Sequence, residues 1–325
     1  MDKIVVLIPC YNESKTIKKV IEDVKNKIEN AKIYVYDNNS TDHTDLIARN
    51  AGAIVRYEKK QGKGNVIRTM FREINAECYI IVDGDDTYSL SNLNKMCNLI
   101  LNENIDMVIG DRLSSNYFKE NNRLFHNFGN RLVRKIINTI YKSDIKDVMT
   151  GYRAFSYRFV KTFPILSKNF EVETEMTIHT LDNNLNYETL PVEYKNRPIG
   201  SNSKLNTYYD GFSVLKTIIS LYKNYKPLSF FSIISIFLIL IGLVFFLPVI
   251  IEYVNTGLVP KMPSFLASIF FFISSIQSFF CGLILQTIVK KNKQDFEIKL
   301  NEYTDKFNVY KEFYNNSLKN KNNIK

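Results

Sequence analysis

The 325-residue sequence has no tryptophan, only three histidines and only four cysteines. Cys10, Cys78, Cys97 and Cys281 lie far apart, and no two of them form a C-x-x-C pair. This spacing excludes a disulfide-stapled fold and a zinc site of cysteine and histidine ligands, and it fits a reducing compartment. Apolar residues are plentiful at 45% of the chain, so disorder of the whole chain is also excluded.

Charged residues are missing from two long stretches near the C-terminal end. The stretches 227–251 and 263–289 contain no Asp, Glu, Lys or Arg. A helix of about 20 apolar residues crosses a bilayer, and buried core helices rarely run this long without a charge. The sequence therefore predicts two membrane-spanning helices joined by the polar segment 252–262.

Lysines flank these stretches unevenly. Two come just before the first stretch and three just after the second, whereas the connecting segment has one. In chain order they are Lys223, Lys226, Lys261, Lys290, Lys291 and Lys293. The positive-inside rule then predicts that both chain ends are cytoplasmic and that the connecting segment lies outside. The N-terminal apolar run 4–9 is too short for a signal peptide, so we expect the preceding domain to be cytoplasmic.

Short apolar runs alternate with helical patterns between residues 3 and 109. Strands are predicted at 4–8, 33–36, 53–55, 78–82 and 106–109, with helices at 14–28, from about 42, at 64–74 and at 92–101. This alternation indicates an α/β fold with a mostly parallel sheet covered on both faces. Ligands of such sheets bind at the carboxyl ends of strands, so the polar residues found there should share one site.

An acidic loop follows one of these strands directly. Asp83, Gly84, Asp85 and Asp86 come immediately after the apolar run 79–82. Carboxylates at this spacing can hold Mg²⁺ or Mn²⁺ together with water and diphosphate oxygens. Asp and Gly are also favoured in ordinary turns, so the loop alone is a weak signal.

Three other ligand-binding motifs are excluded. The acidic residues do not continue at alternate positions to a Glu, as an EF-hand requires. The segment 61–64 lacks the G-x-x-x-x-G-K-[ST] spacing of a P-loop. No G-x-G-x-x-G follows the first strand, which argues against a dinucleotide enzyme.

Eight short motifs occur in a fixed order across residues 1–210. They are IVVLIPCYNESKTI, VYDNNSTD, GKGNVIR, IIVDGDDTY, MVIGDR, GYRAF, FEVETEM and RPIGSNSKL. This series resembles glycosyltransferase family 2 and, with the membrane stretches behind it, the polyprenyl-phosphate glycosyltransferases, the group that contains dolichol-phosphate mannose synthase. The resemblance implies a GT-A fold, Rossmann-like with a mostly parallel sheet, followed by interfacial helices and two transmembrane helices.

The resemblance also implies which residues hold the nucleotide sugar and the metal. Asp83 and Asp85 match the metal-binding D-x-D motif for Mg²⁺ or Mn²⁺. Thr87 stands where related mannose synthases have a Gln that can complete the metal shell, so whether Thr87 takes part stays open. The implied nucleotide-sugar residues are Pro9, Tyr11, Glu13, Asp37, Asn39, Lys63, Asp83 and Gly84.

A catalytic group and a lipid-phosphate group are implied in the same way. The catalytic residues are Asp85, Arg112, Asp147 and Arg153, in which Asp147 would face the acceptor and the arginines would surround the phosphates. The residues expected at the lipid phosphate are Arg123, Arg131, Arg134, Arg197, Ser203 and Lys204.

The chemistry of the implied reaction fits a site rich in Arg and Lys and poor in His. A polyprenyl phosphate is an anion near neutral pH, so its attacking oxygen needs little help from a general base. A metal neutralises the leaving diphosphate, and cationic side chains hold two phosphorylated substrates together. In-line attack inverts the anomeric carbon without an enzyme nucleophile, unlike the retaining two-carboxylate mechanism.

Two segments admit a functional and a structural interpretation. The segment 121–141 has apolar residues at helical spacing among basic ones, typical either of a helix at the membrane surface or of one packed on the sheet with a solvated basic face. Glu171, Glu173 and Glu175 head a predicted helix, where acids are favoured anyway. We prefer that explanation over an acid facing the acceptor.

The predicted organisation has four parts. A cytoplasmic GT-A domain spans 1–207, an amphipathic juxtamembrane helix 208–226, the two-helix membrane hairpin 227–289 and a cytoplasmic polar tail 290–325. The family resemblance implies a homo-oligomer, with a tetramer as the form expected by analogy. Nucleic acid is not an expected partner, because much of the net charge of +10 flanks the membrane stretches and the phosphate-facing motifs.

The donor and two other functions remain as alternatives. UDP-glucose or UDP-N-acetylglucosamine is favoured over GDP-mannose. A processive polysaccharide synthase is disfavoured, because such enzymes resemble one another in a Q-x-x-R-W motif and this chain has no tryptophan. A non-catalytic membrane scaffold is disfavoured by the intact Asp83 and Asp85.

Overall fold

The computed structural model describes residues 1–114, 124–169, 171–195, 219–220 and 222–322. The chain divides into two compact units, one comprising Met1–Gly211 with Ile298–Lys325 and the other Phe212–Glu297. The first unit contains the sheet, and the second contains the two long apolar stretches.

The first unit is built on a seven-stranded sheet in the order β3-β2-β1-β4-β6-β5-β7. Its strands are β1 (Asp2–Cys10), β2 (Lys32–Asp37), β3 (Ile54–Tyr57), β4 (Ala76–Ile81), β5 (Met107–Asp111), β6 (Arg153–Ser156) and β7 (Tyr187–Pro191). Strand β6 runs antiparallel to β4 and β5, and the other neighbouring pairs are parallel. The predicted mostly parallel sheet is confirmed.

Helices pack against this sheet through apolar stripes. In chain order they are α1 (Ile17–Lys27), α2 (Thr44–Asn50), α3 (Lys63–Glu73), α4 (Leu93–Asn102), α5 (Leu124–Tyr141), α6 (Tyr157–Thr162) and α7 (Glu171–Asp182). Helix α1 buries Ile17, Val20, Ile21 and Val24, which recur at the spacing of one helix face. Consecutive residues of β1 from Val5 to Ile8 are all fully buried, so the central strand is covered on both faces.

Strands β6 and β7 have no counterpart in the predicted alternation. Strand β6 is only four residues long and begins with a buried arginine, so its apolar pattern is too short to distinguish from a loop. Because β6 is antiparallel, its first residue lies beside the ends of its neighbours: Arg153 pairs with Ile81 of β4 and Ile109 of β5. The segment before β6 therefore reaches the same edge of the sheet as the acidic loop after β4.

The second unit contains helix α8 (Pro227–Thr256) and the first part of helix α9 (Met262–Asn322). Helix α8 begins with a proline and is capped by Gly257. The φ of this glycine, 68°, lies in the left-handed region, and its N–H donates to the Tyr253 carbonyl at 2.8 Å. This glycine termination leaves a short connection before α9.

Polar contacts join α8 and α9 within this unit. The hydroxyls of Ser235 and Ser275 lie 2.8 Å apart, and Ser278 donates to the carbonyl of Phe231 at 3.2 Å. In the most apolar 18-residue stretch of each helix, only 17% is buried in the protein, whereas a core helix of a soluble domain is mostly buried. Two helices of this length and hydropathy indicate a membrane-associated protein.

Helix α9 continues well past its apolar part. The polar segment from residue 290 is helical to Asn322, and its later portion belongs to the first unit. There Phe307 stacks on Tyr157 with ring centroids 5.2 Å apart and an interplanar angle of 17°. Tyr157 follows β6 directly, so this contact lies at the end of the sheet opposite the acidic loop.

Candidate active site

The carboxyl edge of the sheet has two halves that differ in how their loops are held. We call loops 10–14, 37–44 and 58–62 the β1–β3 half, and loops 82–88, 111–112 and 147–153 the β4–β6 half. Both halves collect polar side chains at one edge, as the strand ends predicted.

Hydrogen bonds between backbone N–H groups and side-chain oxygens tie the first two loops of the β1–β3 half together. The backbone N–H of Asn12 donates to the Ser40 hydroxyl at 2.9 Å, and the Asn12 side-chain oxygen accepts from the Thr41 N–H at 2.8 Å. The N–H of Glu13 donates to the Thr44 hydroxyl at 2.9 Å. Asn12 has a φ of 55°, a left-handed conformation that asparagine tolerates well.

The third loop of this half is held by amides. Asn38 donates to the carbonyls of Glu58 at 2.7 Å and Lys60 at 3.0 Å, and its side-chain oxygen accepts from the Gly62 N–H at 2.8 Å. The neighbouring Asn39 donates to the Lys59 carbonyl at 3.0 Å. Asn39 thus supports the loop that the expected nucleotide would contact.

Asp37 is the buried acid of the β1–β3 half. It is 3% exposed, and one carboxylate oxygen accepts from the Ser40 N–H at 2.9 Å. Its other oxygen, Oδ2, has no hydrogen-bond partner within the described ranges. Tyr11 is 37% exposed at the same edge, and Pro9 pairs with Tyr36 on β2. The predicted nucleotide residues of these loops are therefore brought together.

The acidic loop of the β4–β6 half is anchored at two points. The Thr16 hydroxyl donates to the Gly84 carbonyl at 2.6 Å, and a β-carbon on Gly84 would lie 2.7 Å from the Cys10 sulfur. Only glycine fits at this close approach. Asp85 is 5% exposed, and its Oδ1 accepts from the Thr87 hydroxyl at 2.7 Å. Thr87 thus orients the second aspartate of the motif.

Lys63 lies between two carboxylates. Its Nζ is 2.5 Å from Oδ1 of Asp83 and 2.6 Å from Oε1 of Glu173, at the start of α7. Burial opposes the charge on Lys63, but attraction by Asp83 and Glu173 outweighs it and raises the pKa of Lys63 above its ordinary value. Burial raises the pKa of Glu173, against the opposing effect of Lys63. The place expected for Lys63 beside the base and ribose stays a prediction.

Gly151 packs directly on this charged group. A β-carbon at Gly151 would overlap Oδ2 of Asp83 and would lie 2.8 Å from Nζ of Lys63. The N–H of Gly151 donates to the Tyr88 hydroxyl at 2.9 Å. Burial raises the pKa of Tyr88, so the hydroxyl stays protonated. The absence of a side chain at Gly151 is what lets the Asp83 carboxylate occupy its position.

Arg112 and Asp147 form a bidentate ion pair. Nε of Arg112 donates to Oδ2 of Asp147 at 2.8 Å, and Nη2 donates to Oδ1 at 3.1 Å. Arg112 is 12% exposed and Asp147 is 1% exposed. The Arg112 guanidinium also lies 5.8 Å from the centroid of the Tyr88 ring. The structure thus brings these two predicted catalytic residues together, with Asp147 beneath Arg112.

Arg153 lies deeper, at the first position of β6. It is 1% exposed, and its guanidinium donates to the carbonyls of Val148 at 2.6 Å and Thr150 at 3.0 Å and to the Thr177 hydroxyl at 3.0 Å. Burial lowers the pKa of Arg153 to about 10. These contacts hold the segment that carries Asp147, so the geometry favours a positioning role over direct contact with a phosphate.

The predicted lipid-phosphate residues are only partly within the described ranges. Arg131 is exposed and Arg134 is half-buried on α5, and Arg134 donates to the Lys146 carbonyl at 3.5 Å. Val133 and Ile137 on the same helix are buried, so α5 packs on the domain and presents basic residues outward. Arg123, Arg197, Ser203 and Lys204 lie outside the described residues.

Tyr88 and Glu173 are part of this site and were not among its predicted residues. Tyr88 is the last residue of the IIVDGDDTY motif, but the resemblance assigned it no role, and only the fold reveals its contact with Gly151. Glu173 belongs to an E-x-E-x-E pattern at the start of α7, and the ordinary preference of helix starts for acids explained that pattern equally well. In the structure Glu175 instead accepts from the N–H groups of Leu166 and Ser167.

Asp83 and Asp85 fit a divalent cation whose coordination shell is completed by the substrate. Among the described residues, no group of three or more His, Cys, Asp or Glu is arranged to hold a metal. The described residues therefore do not form a metal site made wholly of protein ligands. Two carboxylates on one short loop suit Mg²⁺ or Mn²⁺, which take further oxygens from phosphates and water.

Comparison with solved structures identifies the fold. The chain is similar to glucosyl-3-phosphoglycerate synthase from Mycobacterium tuberculosis, solved in complex with Mn²⁺, UDP and phosphoglyceric acid, with a TM-score of 0.54 and 19% identity. The match covers 68% of this chain and 78% of that chain. The catalytic unit therefore has the GT-A fold expected from the motifs.

Sequence comparison identifies the family. The sequence model of the family Glycosyl transferase family 2 matches residues 5–163. The chain is 33% identical to Glycosyltransferase AglJ of Haloferax volcanii over 232 residues, covering 71% of this chain and 76% of that protein. It is 26% identical to the Dolichyl-phosphate hexose transferase of the same organism over 218 residues, covering 67% and 93% respectively. Together with the described edge, these matches show that the chain belongs to glycosyltransferase family 2.

Proposed function

We propose that this glycosyltransferase moves one sugar from a nucleotide-sugar donor to a polyprenyl phosphate, undecaprenyl or dolichyl, at the cytoplasmic face of a membrane. The observation that carries the proposal is one sheet edge that gathers Asp83, Asp85 and Arg112 beside the β1–β3 loops, in a chain with two membrane-length helices. The similarity to a dolichyl-phosphate hexose transferase supports this acceptor class.

The β1–β3 half would bind the nucleotide. Asp37 presents a buried carboxylate oxygen with no described hydrogen-bond partner, and the N–H of a uracil or guanine ring is a donor that would satisfy it. Tyr11 offers an exposed ring at the same edge, on which a base can stack. UDP-glucose or UDP-N-acetylglucosamine is the favoured donor, with GDP-mannose as the alternative.

The acidic loop would hold the metal that a transferase of this type uses. Asp83 and Asp85 would bind Mg²⁺ or Mn²⁺, which neutralises charge on the donor diphosphate. Thr87 orients Asp85, whereas Lys63 and Gly151 position Asp83. The fold neighbour was solved with Mn²⁺ and UDP, which supports a divalent ion for this fold.

The transfer step would need no enzyme nucleophile. A phosphate oxygen of the lipid attacks the anomeric carbon, the bond from that carbon to the diphosphate breaks, and the nucleoside diphosphate departs with the bonding electrons. Because the attacking oxygen is already anionic, no proton has to be removed by the protein. Arg112, oriented by its bidentate pair with Asp147, is positioned to offset the charge on the phosphates.

The membrane arrangement completes the proposal. Both termini and the catalytic domain would be cytoplasmic, and Arg131 and Arg134 of α5 would lie on the surface that meets anionic lipid headgroups. The four-part domain division, the interfacial role of 208–226 and a homo-oligomer, with a tetramer as the expected form, are predictions that accompany it. The product would serve assembly or modification of a cell-surface glycan.

A donor panel tests this proposal. Membranes containing the protein are incubated with labelled UDP-glucose, UDP-N-acetylglucosamine or GDP-mannose and undecaprenyl phosphate, and the lipid is extracted. We expect label in the lipid phase with one UDP-sugar, and loss of that label in Asp85→Ala. Label only from GDP-mannose would establish the alternative donor. If the purified protein neither transfers sugar nor binds UDP, it is a non-catalytic scaffold.

A further inference from the structure

Glu173 has contacts that the transfer chemistry above does not use. It is 4% exposed at the start of α7, and Oε1 lies 2.6 Å from Nζ of Lys63. Its second oxygen, Oε2, has no hydrogen-bond partner in the described part of the chain. A buried carboxylate with one unsatisfied oxygen is costly to maintain, so its retention calls for a physical reason.

The reason lies on the other side of Lys63. The ammonium of Lys63 is 2.5 Å from Asp83 and its side chain is 9% exposed, so its positive charge is weakly screened by water. A divalent cation on Asp83 and Asp85 would sit close to that charge and be repelled by it. A lysine that orients a metal ligand therefore also weakens the metal site, unless a further negative charge is placed near it.

Glu173 supplies that charge. With it, the four groups Asp83, Asp85, Lys63 and Glu173 carry two net negative charges, which match one divalent cation. Without it, they carry one. Glu175, the next acid along α7, does not take this place, since it is bonded to the loop at Leu166 and Ser167.

We propose that Glu173 is a positioning residue that balances the charge of Lys63, so that Lys63 can hold Asp83 in place while the metal site keeps its affinity for a divalent cation. The inference rests on the proposed metal-dependent transfer. It assigns to α7 a role in metal affinity that Glu173 exerts without touching the cation.

Direct Mn²⁺ binding tests the inference without relying on turnover. Full-length purified protein is titrated with Mn²⁺ in the presence of UDP, and free Mn²⁺ is followed by electron paramagnetic resonance. Glu173→Gln keeps the side-chain shape and an oxygen for Lys63 but removes the charge. We expect it to weaken Mn²⁺ binding about tenfold, as one nearby unit charge in a poorly screened site would.

A charge-restoring double variant separates this effect from structural damage. Lys63→Met with Glu173→Gln removes one charge of each sign, so binding should recover to within about threefold of wild type, and the remaining loss would reflect an Asp83 that Lys63 no longer holds. Glu171→Gln, a partly exposed acid in the same helical turn, is the matched control and should leave binding unchanged. Glu173→Asp retains the charge, so it should bind Mn²⁺ far better than Glu173→Gln. Thermal unfolding midpoints of all variants report folding.

The outcomes are distinct. Wild-type affinity in Glu173→Gln, or a double variant that binds no better than Glu173→Gln, would overturn the inference. If Glu173→Gln fails to fold, the double variant and Glu173→Asp test the inference instead. Mn²⁺ binding tenfold weaker than wild type in both variants would overturn the inference. Failure of the proposed function looks different: the wild-type protein itself would neither bind Mn²⁺ with UDP nor transfer sugar.

Discussion

The two halves of the carboxyl edge are built from different interactions. In the β1–β3 half, the loops are held by hydrogen bonds to backbone groups, which involve neutral side chains such as Asn12, Asn38 and Thr44 and the carboxylates of Asp37 and Asp42. In the β4–β6 half, the loops are held by charges: Lys63 with Asp83 and Glu173, and Arg112 with Asp147. One half holds its loops through hydrogen bonds to backbone groups, and the other holds them through ion pairs.

This difference predicts different sensitivities. A neutral hydrogen bond contributes about 1 kcal/mol net, so the loss of one loosens a loop slightly. Removing one partner of a buried ion pair costs about 3–5 kcal/mol, because the remaining charge is left without compensation. Single substitutions in the β4–β6 half should therefore have larger effects than comparable ones in the β1–β3 half.

The largest effect is expected from Asp147→Asn. Asp147 is 1% exposed, and its neutralisation leaves the Arg112 guanidinium largely buried beside an amide. We expect the free energy of unfolding to fall by about 3 kcal/mol, with loss of sugar transfer. Urea unfolding of the detergent-solubilised protein, followed by circular dichroism, measures it. Asp144→Asn, an exposed acid nearby, is the control, and equal losses in the two variants would show that the ion pair is not responsible.

Gly151→Ala comes next and tests geometry without changing charge. The added methyl would overlap the Asp83 carboxylate and displace it or Lys63. Misplacement of a catalytic group by about 1 Å lowers rates about 100-fold, so we expect that fall in sugar transfer. The comparison of wild-type and variant rates at saturating donor and Mn²⁺ provides the measurement. A rate within about twofold of wild type would mean that Asp83 tolerates displacement.

Asp37→Asn probes the β1–β3 half. If the buried Oδ2 accepts from the base, its replacement should weaken UDP binding about tenfold and leave Mn²⁺ binding by the UDP-saturated protein unchanged. Calorimetric titration with UDP measures the first effect. Asp45→Asn, on α2, removes the same charge and should bind UDP as wild type does. An unaltered UDP affinity in Asp37→Asn would remove Asp37 from the nucleotide site.

The smallest effect is expected from Tyr88→Phe, which we compare with the same substitution at Tyr152, a buried tyrosine that packs beside it. Tyr88 accepts the Gly151 N–H, whereas the Tyr152 hydroxyl has no hydrogen-bond partner among the described residues. Their ring centroids lie 5.6 Å apart. Tyr88→Phe should cost about 1 kcal/mol of unfolding free energy, and Tyr152→Phe should be close to neutral. Equal costs in the same urea experiment would contradict the assigned role of the Tyr88 hydroxyl.

The sequence predicted the parallel part of the sheet because its strands are continuous apolar runs followed by polar loops. Val5 to Ile8 and Tyr79 to Ile81 show this pattern and are buried in the structure. Strand β6 escaped prediction, since Arg153 to Ser156 is short and starts with a charged residue. The pairing of Arg153 with Ile81 is a tertiary contact that local periodicity does not encode.

In the candidate site, too, the sequence predicts where a residue lies but not which side chains it contacts. Placement of Asp37, Asp83 and Arg112 at one edge follows from strand order, and the motifs marked each of them. The direction of a long side chain depends on what surrounds it: Arg153 turns inward to backbone carbonyls, and Lys63 reaches Glu173, which is 110 positions later in the chain. Motif spacing cannot supply such contacts, because they form between distant segments that meet only in the fold.

We propose that the acidic sheet edge, with a bound divalent ion, catalyses transfer of a sugar to a membrane-borne phosphate. Purified wild-type protein incubated with a labelled UDP-sugar and undecaprenyl phosphate tests it most directly, with the organic-phase label counted before EDTA, after EDTA and after excess Mn²⁺. We expect label in the organic phase, its loss with EDTA and its return with Mn²⁺. Label that remains in the aqueous phase under every condition, or transfer that EDTA does not reduce, would contradict the account.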